Sequence, residues 1–293
     1  MVTILCSCVC LTLHAQRREY TLRSGWKFAR SERPGAEKPD YNDAKWQSVS
    51  IPHDWAIYGP FSRDYDLQKV AVKQNMETQA SVKTGRTGGL PYIGIGWYRR
   101  PLNIEAFDSS KQRATLLFDG AMSEAQVYIN GKKAIFWPYG YNSFFCDITP
   151  LVSKDGKGNT IAVRLENRSQ SSRWYPGAGL YRNVHLIVTN DTHIPVWGTY
   201  ITTPHVEKAF ATVRLKTSVD NISKDAKLKL ETRIFDAEGK EVASRTTTEC
   251  TPEGQPDEQN FLVENPKLWS PESPSLYEAR TILYINGVAC DNY

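Results

Sequence analysis

Apolar and polar residues alternate in short runs along most of the chain. In residues 160–166, Ile161, Val163 and Leu165 take every second position, which is the pattern of a half-buried antiparallel strand. Residues 228–234 repeat that alternation. No stretch beyond the first residues carries apolar side chains at helical spacing over the length of a crossover helix. The pattern therefore predicts a protein built mostly of β-strands.

Turn residues separate these short strands at regular intervals. Asn130-Gly131 and Asn286-Gly287 each lie between apolar runs and indicate tight hairpins, because a type I′ turn needs positive φ at both central positions. Residues 236–239 provide a longer hairpin loop of the same kind. Strands divided by turns every 8 to 12 residues or so, roughly the spacing seen here, favour a β-sandwich or a jelly roll.

The length of the chain predicts two domains. Its 293 residues exceed the usual domain size of about 100 to 200 residues. The strand pattern breaks at 190–195, so we expect a jelly-roll domain over 16–190 and an immunoglobulin-like sandwich over 191–293. Few residues follow the Asn286-Gly287 turn. We therefore expect the second sandwich to be incomplete, lacking its last strand, and the sequence to be a fragment of a longer protein.

The first 15 residues contain an apolar run that is followed by Gln16, Arg17 and Arg18. This run is too short to span a bilayer and resembles the hydrophobic part of a signal peptide. No basic residue precedes it, so a buried first strand stays open as the alternative. We expect a signal peptide over 1–15 and export to the periplasm or the extracellular space.

Three of the six cysteines lie in this leader, which leaves Cys146, Cys250 and Cys290. An odd and scattered set is not a disulfide framework, and no Cys or His spacing matches a metal site. We therefore expect small buried residues, with a pairing of Cys250 and Cys290 as the alternative. Neither a metal ligand nor a cofactor is predicted in this chain.

Composition narrows the class of partner. Lys and Arg number 36 against 32 Asp and Glu, with no block of like charges, so nucleic acid is not the expected partner; no membrane span is expected either. Aromatic residues make up 11% of the chain. We expect most of them to fill a sandwich core, with a ligand-covering surface as the alternative. In Trp97-Tyr98-Arg99-Arg100 we expect the rings to face a core and the arginines to pair outward.

Residues 58–96 form a long stretch with few strand signals, and its end, residues 84–91, is rich in glycine. A phosphate-binding loop is excluded because no Gly-Lys-Ser/Thr follows and no strand-to-helix context exists. Long irregular loops in compact domains are usually functional or disordered. A loop ordered by a neighbouring domain and plain disorder both stay open.

Six short segments, taken together and in their order along the chain, carry a resemblance to a known family. They are 51–55 (IPHDW), 94–100 (GIGWYRR), 118–131 (FDG through VYING), 140–144 (GYNSF), 147–149 (DIT) and 173–182 (RWYPGAGLYR). Together they resemble the amino-terminal region of glycoside hydrolase family 2, the family of β-galactosidases, β-glucuronidases and β-mannosidases. The resemblance implies an all-β chain with a galactose-binding-like jelly-roll sandwich followed by an immunoglobulin-like sandwich. It looks closest to the β-galactosidase-like members.

The resemblance also implies a sugar site. Loops of the family's first domain help to bind the sugar in the cleaved subsite, and by position these are the segment around Gly89 and the one around Ser172, Arg173 and Trp174. With Asp54 these are the candidate substrate-binding residues. A guanidinium can donate to sugar hydroxyls and an indole can cover an apolar sugar face. The alternatives are an interdomain salt bridge for Arg173, a core position for Trp174 and loop fixing for Asp54.

The expected partner is a carbohydrate, an oligosaccharide with a terminal β-galactoside. Some family members place Asp or Asn where this chain has Ser171, Ser172 and Arg173. A charged sugar is therefore an alternative. A parent enzyme of the β-glucuronidase or β-mannosidase type also stays open.

Catalytic residues are not expected in this chain. Retaining glycosidases use two carboxyl groups about 5 to 5.5 Å apart, and in this family both are glutamates of a (β/α)8 barrel, which takes about 250 residues. Glu105, Glu124 and Glu166 lack the family's catalytic context. We expect the barrel to be a missing partner that would hold any magnesium or sodium ion, and the chain alone to be inactive. A free-standing carbohydrate-binding module and a structural sandwich or adhesin are the other hypotheses, and a homo-oligomer stays open.

Overall fold

The computed structural model describes residues 17–62, 64–65, 69–73, 76–79, 81–84, 90–169, 171–172, 174–223, 225–248, 250 and 255–293. The expected signal peptide and the candidate residues Gly89 and Arg173 lie outside this part of the chain. Every helix or strand element of the described part is a β-strand, which confirms the all-β prediction. No helix that could cross a membrane is found there.

Contacts divide the described chain into two compact units, Glu19–Val188 and Thr189–Tyr293, the latter joined by Arg17 and Arg18. The strands of the first unit are β1 (Arg18–Thr21), β2 (Trp26–Arg30), β3 (Gln47–Val49), β4 (Lys69–Val72), β5 (Ser81–Thr84), β6 (Gly94–Leu102), β7 (Gln112–Phe118), β8 (Ala125–Ile129), β9 (Lys132–Trp137), β10 (Phe144–Asp147), β11 (Asn159–Asn167) and β12 (Val184–Asn190).

Two sheets of the first unit enclose its main core. One sheet has the order β1-β12-β7-β10 and the other the order β3-β2-β6-β11-β8-β9. The pairing of β6 with β11 is antiparallel, with Tyr98 opposite Val163. Both sheets contribute to one buried cluster, whose largest fully buried side chains include Trp26, Tyr98, Phe118, Phe144, Ile161 and Leu165. The unit is therefore a β-sandwich stabilised by apolar burial between its layers.

The 58–96 segment contains a hairpin. Its strands β4 and β5 pair antiparallel, with Lys69 opposite Thr84 and Val72 opposite Ser81. The segment has few strand signals in its sequence, yet eight of its described residues form these two strands.

Strand β6 sends Trp97 and Arg99 to the side away from the main core. Tyr98 is fully buried inside the sandwich, whereas Trp97 belongs to a small separate cluster. Arg99 is 2% exposed, and its Nε donates to Asp43 Oδ2 at 2.9 Å. Both rings are buried, but in two different clusters. The expectation that the arginines point outward is wrong for Arg99, because alternation puts Trp97 and Arg99 on the same face, which the loop before β3 covers.

The second unit contains β13 (Thr199–Val206), β14 (Phe210–Thr217), β15 (Leu228–Phe235), β16 (Glu241–Thr247), β17 (Asp257–Glu264), β18 (Glu278–Ile285) and β19 (Val288–Asn292). They form one sheet of order β13-β14-β17 and another of order β16-β15-β18-β19. Apolar residues of the unit pack in two clusters, one around Leu230 and Leu283 and the other around Leu215, Ile234 and Phe261.

Both predicted Asn-Gly hairpins are confirmed. Asn130 and Gly131 have φ values of 51° and 80° and join β8 to β9, while Asn286 and Gly287 have 49° and 82° and join β18 to β19. The returning strand after the second turn, expected to be barely begun, pairs with β18 over Val288–Asn292. Positive φ at both positions is what the type I′ turn requires.

The three cysteines in the described part of the chain are free thiols. Cys146 and Cys290 are buried and Cys250 is partly buried. The alternative of a bond between Cys250 and Cys290 is therefore wrong for this structure, and the interpretation as small packed residues is confirmed for Cys146 and Cys290.

Candidate functional site

Several loops meet at one end of the first unit, and three of the five candidate residues, Asp54, Ser172 and Trp174, lie in them. The amide of His53 donates to Leu180 O at 2.8 Å. Met122 and Gly179 exchange two backbone hydrogen bonds of 3.0 Å. These bonds join the loop after β3, the loop before β8 and the 174–181 segment into one surface, which we call the loop end.

Asp54 holds the 174–181 segment in place. Its Oδ1 accepts from the Tyr175 hydroxyl at 2.5 Å and from the Ala56 amide at 2.9 Å, and its Oδ2 accepts from the Ala178 amide at 3.2 Å. A carboxylate that accepts three hydrogen bonds fixes the two loops to each other. The structure thus gives Asp54 the loop-fixing role, and its contact with a sugar stays a prediction.

The buried Tyr98 and the half-buried His53 form a hydrogen-bonded pair below this surface. The Tyr98 hydroxyl lies 2.7 Å from His53 Nδ1, and it donates to the His53 carbonyl at 3.2 Å. Burial lowers the pKa of His53, against an opposing effect of Asp54. Burial also raises the pKa of Tyr98 well above its usual value. Both rings are therefore neutral near pH 7 and act as packed, hydrogen-bonded supports of the loop end.

Gly179 lets the 174–181 segment approach the sandwich closely. Its φ is +85°, and a Cβ at this position would lie 2.3 Å from the Tyr98 hydroxyl and 2.6 Å from His53 O. No other residue fits such a position without displacing its neighbours. The second glycine of the Gly-Ala-Gly sequence at residues 177–179 is thus required by this close contact.

Trp174 is displayed on the surface rather than packed in the core. The residue is 58% exposed, and its indole Nε1 donates to the Tyr141 hydroxyl at 3.0 Å. The core-anchor alternative for Trp174 is therefore wrong. The Ser172 hydroxyl accepts from the Trp174 amide at 3.2 Å, so Ser172 holds the backbone of the residue that carries the exposed indole. Sugar contacts of Ser172 and Trp174 stay predictions.

Two tyrosines beside Trp174 were missed by sequence reasoning. Tyr139 and Tyr141 are exposed in the loop between β9 and β10, and their ring centroids lie 5.6 Å apart in an edge-to-face arrangement. The Tyr-Gly-Tyr sequence at 139–141 was the available signal. Residues 140–144 served only for the resemblance to the family, and no role was predicted for the two rings. We call Tyr139, Tyr141 and Trp174 the aromatic ridge.

Among the described residues, Glu124 and Glu166 are held in ion pairs with arginines. Glu124 Oε2 lies 3.2 Å from Arg168 Nη2, and Glu166 Oε2 lies 3.1 Å from Arg164 Nη1. Within the described residues, no group of three His, Cys, Asp or Glu side chains could hold a metal ion.

Comparison with known proteins gives matches along both units. The model of the family described as glycosyl hydrolases family 2, sugar binding domain, matches residues 20–190, and the model described as glycosyl hydrolases family 2 matches residues 192–293. A β-galactosidase of Bacteroides ovatus, BoGH2A, is 33% identical over 291 residues, which is 98% of this chain.

Solved structures are similar over the same span. A family 2 glycosyl hydrolase from Bacteroides cellulosilyticus is 32% identical, with a TM-score of 0.80 over 94% of this chain and 34% of that protein. A β-glucuronidase of Bacteroides uniformis is 27% identical, with a TM-score of 0.76 over 95% of this chain and 32% of that protein. The chain spans 32% of the length of the Bacteroides ovatus relative.

Proposed function

The chain belongs to glycosyl hydrolase family 2, and from this membership we propose that it serves a secreted retaining exo-glycosidase that removes terminal β-linked sugars, with a β-galactoside as the preferred substrate. The first unit would contact the sugar with its loop end, and the second would act as scaffold. The two catalytic glutamates would come from a (β/α)8 barrel. The apolar run in residues 1–15 supports export.

The observation that carries this proposal is the exposed indole of Trp174 on a rigid loop end. Trp174 lies within the span that matches the sugar-binding domain model, and its indole is held by Tyr141 at 3.0 Å. An indole face covers the apolar face of a pyranose, while neighbouring hydroxyls exchange hydrogen bonds with sugar hydroxyls. The surface therefore suits a carbohydrate better than a small anion or a nucleic acid.

The chemistry divides between this chain and the barrel. In retaining hydrolysis one carboxylate attacks the anomeric carbon while the other carboxyl protonates the leaving oxygen, and water then cleaves the glycosyl–enzyme bond. The residues of the loop end would orient the terminal sugar and exclude water from one side of it. Positioning of this kind accelerates the step because the reacting atoms are held in line before the reaction.

A β-glucuronide is the second candidate substrate. The Bacteroides uniformis β-glucuronidase is similar over 95% of this chain, and Arg173 directly precedes Trp174 in the sequence. A guanidinium matches a carboxylate with two parallel hydrogen bonds. A uronic acid would therefore gain a charged contact that galactose cannot make.

The test begins with the source DNA beyond the codon for Tyr293. An open frame that encodes a barrel with two glutamates allows the encoded enzyme to be assayed with nitrophenyl β-galactoside and nitrophenyl β-glucuronide. We expect the higher kcat/KM for the galactoside and no turnover by the 293-residue chain alone. A stop codon directly after Tyr293, together with glycan binding but no turnover, would favour a free-standing binding module.

A matched pair of variants tests the contribution of the loop end. Trp174→Ala should lower kcat/KM of the barrel-containing enzyme about tenfold or more, because one face of the sugar loses its cover. Trp269→Ala in the second unit is the control, since Trp269 is 59% exposed and Trp174 is 58% exposed. Equal losses in both variants, or turnover by the chain alone, would contradict the proposal.

A further inference from the structure

The aromatic ridge presents more ring surface than one terminal sugar requires. Tyr139 is 57% exposed, Tyr141 38% and Trp174 58%. All three lie on loops of the first unit, and the Tyr141 hydroxyl accepts a hydrogen bond from the indole. Exposed large aromatic residues that adjoin one another on a surface usually mark a binding site, whereas single exposed rings do not.

The loop that carries the two tyrosines is held firmly. A Cβ on Gly140 would lie 2.3 Å from Met122 Sδ, so the loop backbone packs tightly on the sandwich. The Gly140 carbonyl accepts from the Tyr181 hydroxyl at 2.8 Å. Burial raises the pKa of Tyr181, and the nearby phenols of Tyr141 and Tyr139 add to the rise.

Two further bonds complete the support. The Trp137 indole donates to Asn142 Oδ1 at 3.0 Å, and the Ser143 hydroxyl donates to Asp119 O at 3.2 Å. A surface that is ordered before it binds loses little conformational freedom on binding. The ridge is therefore built as a ready platform rather than as a loop that folds over its ligand.

We propose that Tyr139 and Tyr141 extend the site at Trp174 by an additional sugar subsite, which stacks on a pyranose ring of the substrate beyond the terminal residue that is removed. This inference rests on the proposed function and names its substrate class, a β-linked oligosaccharide rather than a single glycoside. The sugar that reacts must be enclosed and separated from water. The exposed rings of Tyr139 and Tyr141 can cover only one face of a sugar, which suits a sugar that is held and does not react.

The polar groups of the ridge favour a carbohydrate over another protein as its ligand. The Tyr141 phenol accepts from Trp174 and keeps its own proton, which it can donate to a sugar hydroxyl. The Tyr139 phenol can donate and accept in the same way. Apolar ring faces edged by hydroxyl groups match a pyranose, which has apolar C–H faces and a rim of hydroxyls.

The test uses the 293-residue chain and the indole N–H signals of its eight tryptophans in a proton–nitrogen correlation spectrum. Trp174→Phe identifies the signal of Trp174. The probes are methyl β-galactoside, a β-1,4-linked galactotetraose, a galactosylated xyloglucan oligosaccharide and a β-glucuronide-containing tetrasaccharide. Affinities are measured in parallel by calorimetry.

We expect at least one oligosaccharide to shift the Trp174 signal and to bind more tightly than methyl β-galactoside. Tyr139→Ala and Tyr141→Ala should each lower the affinity for that oligosaccharide about tenfold, the loss expected for one stacked ring. Tyr200→Ala in the second unit is the control, because Tyr200 is also exposed, at 66%. Tyr141→Phe keeps the ring and separates stacking from hydrogen bonding.

Three results would overturn the inference. One is that no oligosaccharide shifts the Trp174 signal, and another is that the tyrosine variants bind oligosaccharides as tightly as the parent chain. The third is that the chain self-associates through the ridge, so that sedimentation shows dimers which Tyr139→Ala abolishes. The proposed function fails separately, when the barrel-containing enzyme hydrolyses none of the terminal glycosides although the ridge binds oligosaccharides.

Discussion

At the scale of single residues, the loop end depends on one position that admits only glycine. Gly179 combines a φ of +85° with a Cβ position 2.3 Å from the Tyr98 hydroxyl, whereas Gly158 has a φ of +66° and nothing within 4 Å of its Cβ position. Gly158→Ala should therefore cost about 1 kcal/mol from backbone strain alone. Gly179→Ala should cost about 1–3 kcal/mol more, because an extra methyl is forced into a packed site.

Urea unfolding of the two variants checks this prediction. The midpoint of the Gly179→Ala transition should be clearly below that of Gly158→Ala, at the same slope. Equal midpoints would mean that the 174–181 segment moves away at little cost, and the loop end would then be less rigid than the contacts indicate.

His53 gives the loop end a pH dependence of known sign. Burial lowers its pKa below the ordinary 6.5, so the unfolded chain takes up the proton first as pH falls. Stability from this residue is therefore present above the unfolded pKa and is lost as pH falls toward the folded pKa. The free energy of unfolding of the parent chain should fall more steeply below about pH 6.5 than that of His53→Asn, measured by urea titrations between pH 4.5 and 8. Parallel curves would contradict this role for His53.

The buried thiols should resist labelling. Burial raises the pKa of Cys146 and of Cys290 to about 12, and that of the partly buried Cys250 to about 11. Since the thiolate is the reactive form, a neutral and buried thiol reacts slowly. In the native chain at pH 8, iodoacetamide should modify Cys250 before the other two, and peptide mass spectrometry identifies each site. Faster labelling of Cys290 would show local opening of β19.

At the scale of strands, the two hydroxyls between β15 and β18 form a buried cross-strand pair. Thr232 and Thr281 lie opposite each other in the register, with their Oγ1 atoms 2.9 Å apart, and they are 0% and 1% exposed. Either single change to valine strands one hydroxyl and should cost about 1–3 kcal/mol, whereas the double change should be nearly neutral. A double-mutant cycle by urea unfolding measures the coupling, and additive losses would contradict a mutual hydrogen bond.

Strand and turn signals predicted much of the fold because they are local. Alternation identified β11 and β15, and the Asn-Gly pairs located two hairpins, since a type I′ turn depends on two adjacent φ values. The burial of Arg99 was not predictable in this way. It depends on the loop that contains Asp43, which lies 56 residues before Arg99 in the chain. The residues of that loop are not part of the alternating pattern of β6.

The candidate site was predictable only in part, for the same reason. The resemblance selected Asp54, Ser172 and Trp174, but not the contacts that decide what each side chain does. Trp174 meets Tyr141 across 33 positions and Asp54 meets Tyr175 across 121. Such long-range contacts leave no periodic signal in the sequence. The aromatic ridge could therefore be identified only from the folded structure.

At the scale of the whole molecule, binding should be a property of the first unit alone. Phe118 lies in the core of Glu19–Val188 and Leu230 in the core of Thr189–Tyr293. Phe118→Ala and Leu230→Ala should each remove about 2–5 kcal/mol of stability, since both side chains are fully buried. Hydrogen exchange read peptide by peptide should show lost protection within 19–188 for the first variant and within 189–293 for the second.

Glycan binding should weaken in Phe118→Ala, which destabilises the first unit, and should not change in Leu230→Ala, which destabilises the second. The same oligosaccharide that shifts the Trp174 signal should bind Leu230→Ala with unchanged affinity, provided the temperature keeps both variants folded. It should bind Phe118→Ala more weakly, because Phe118 stacks on Phe144 at 4.7 Å, and Phe144 begins the strand that directly follows the ridge loop. If both variants lose protection in both units and bind equally poorly, the two units fold as one cooperative body, and binding then depends on the whole molecule.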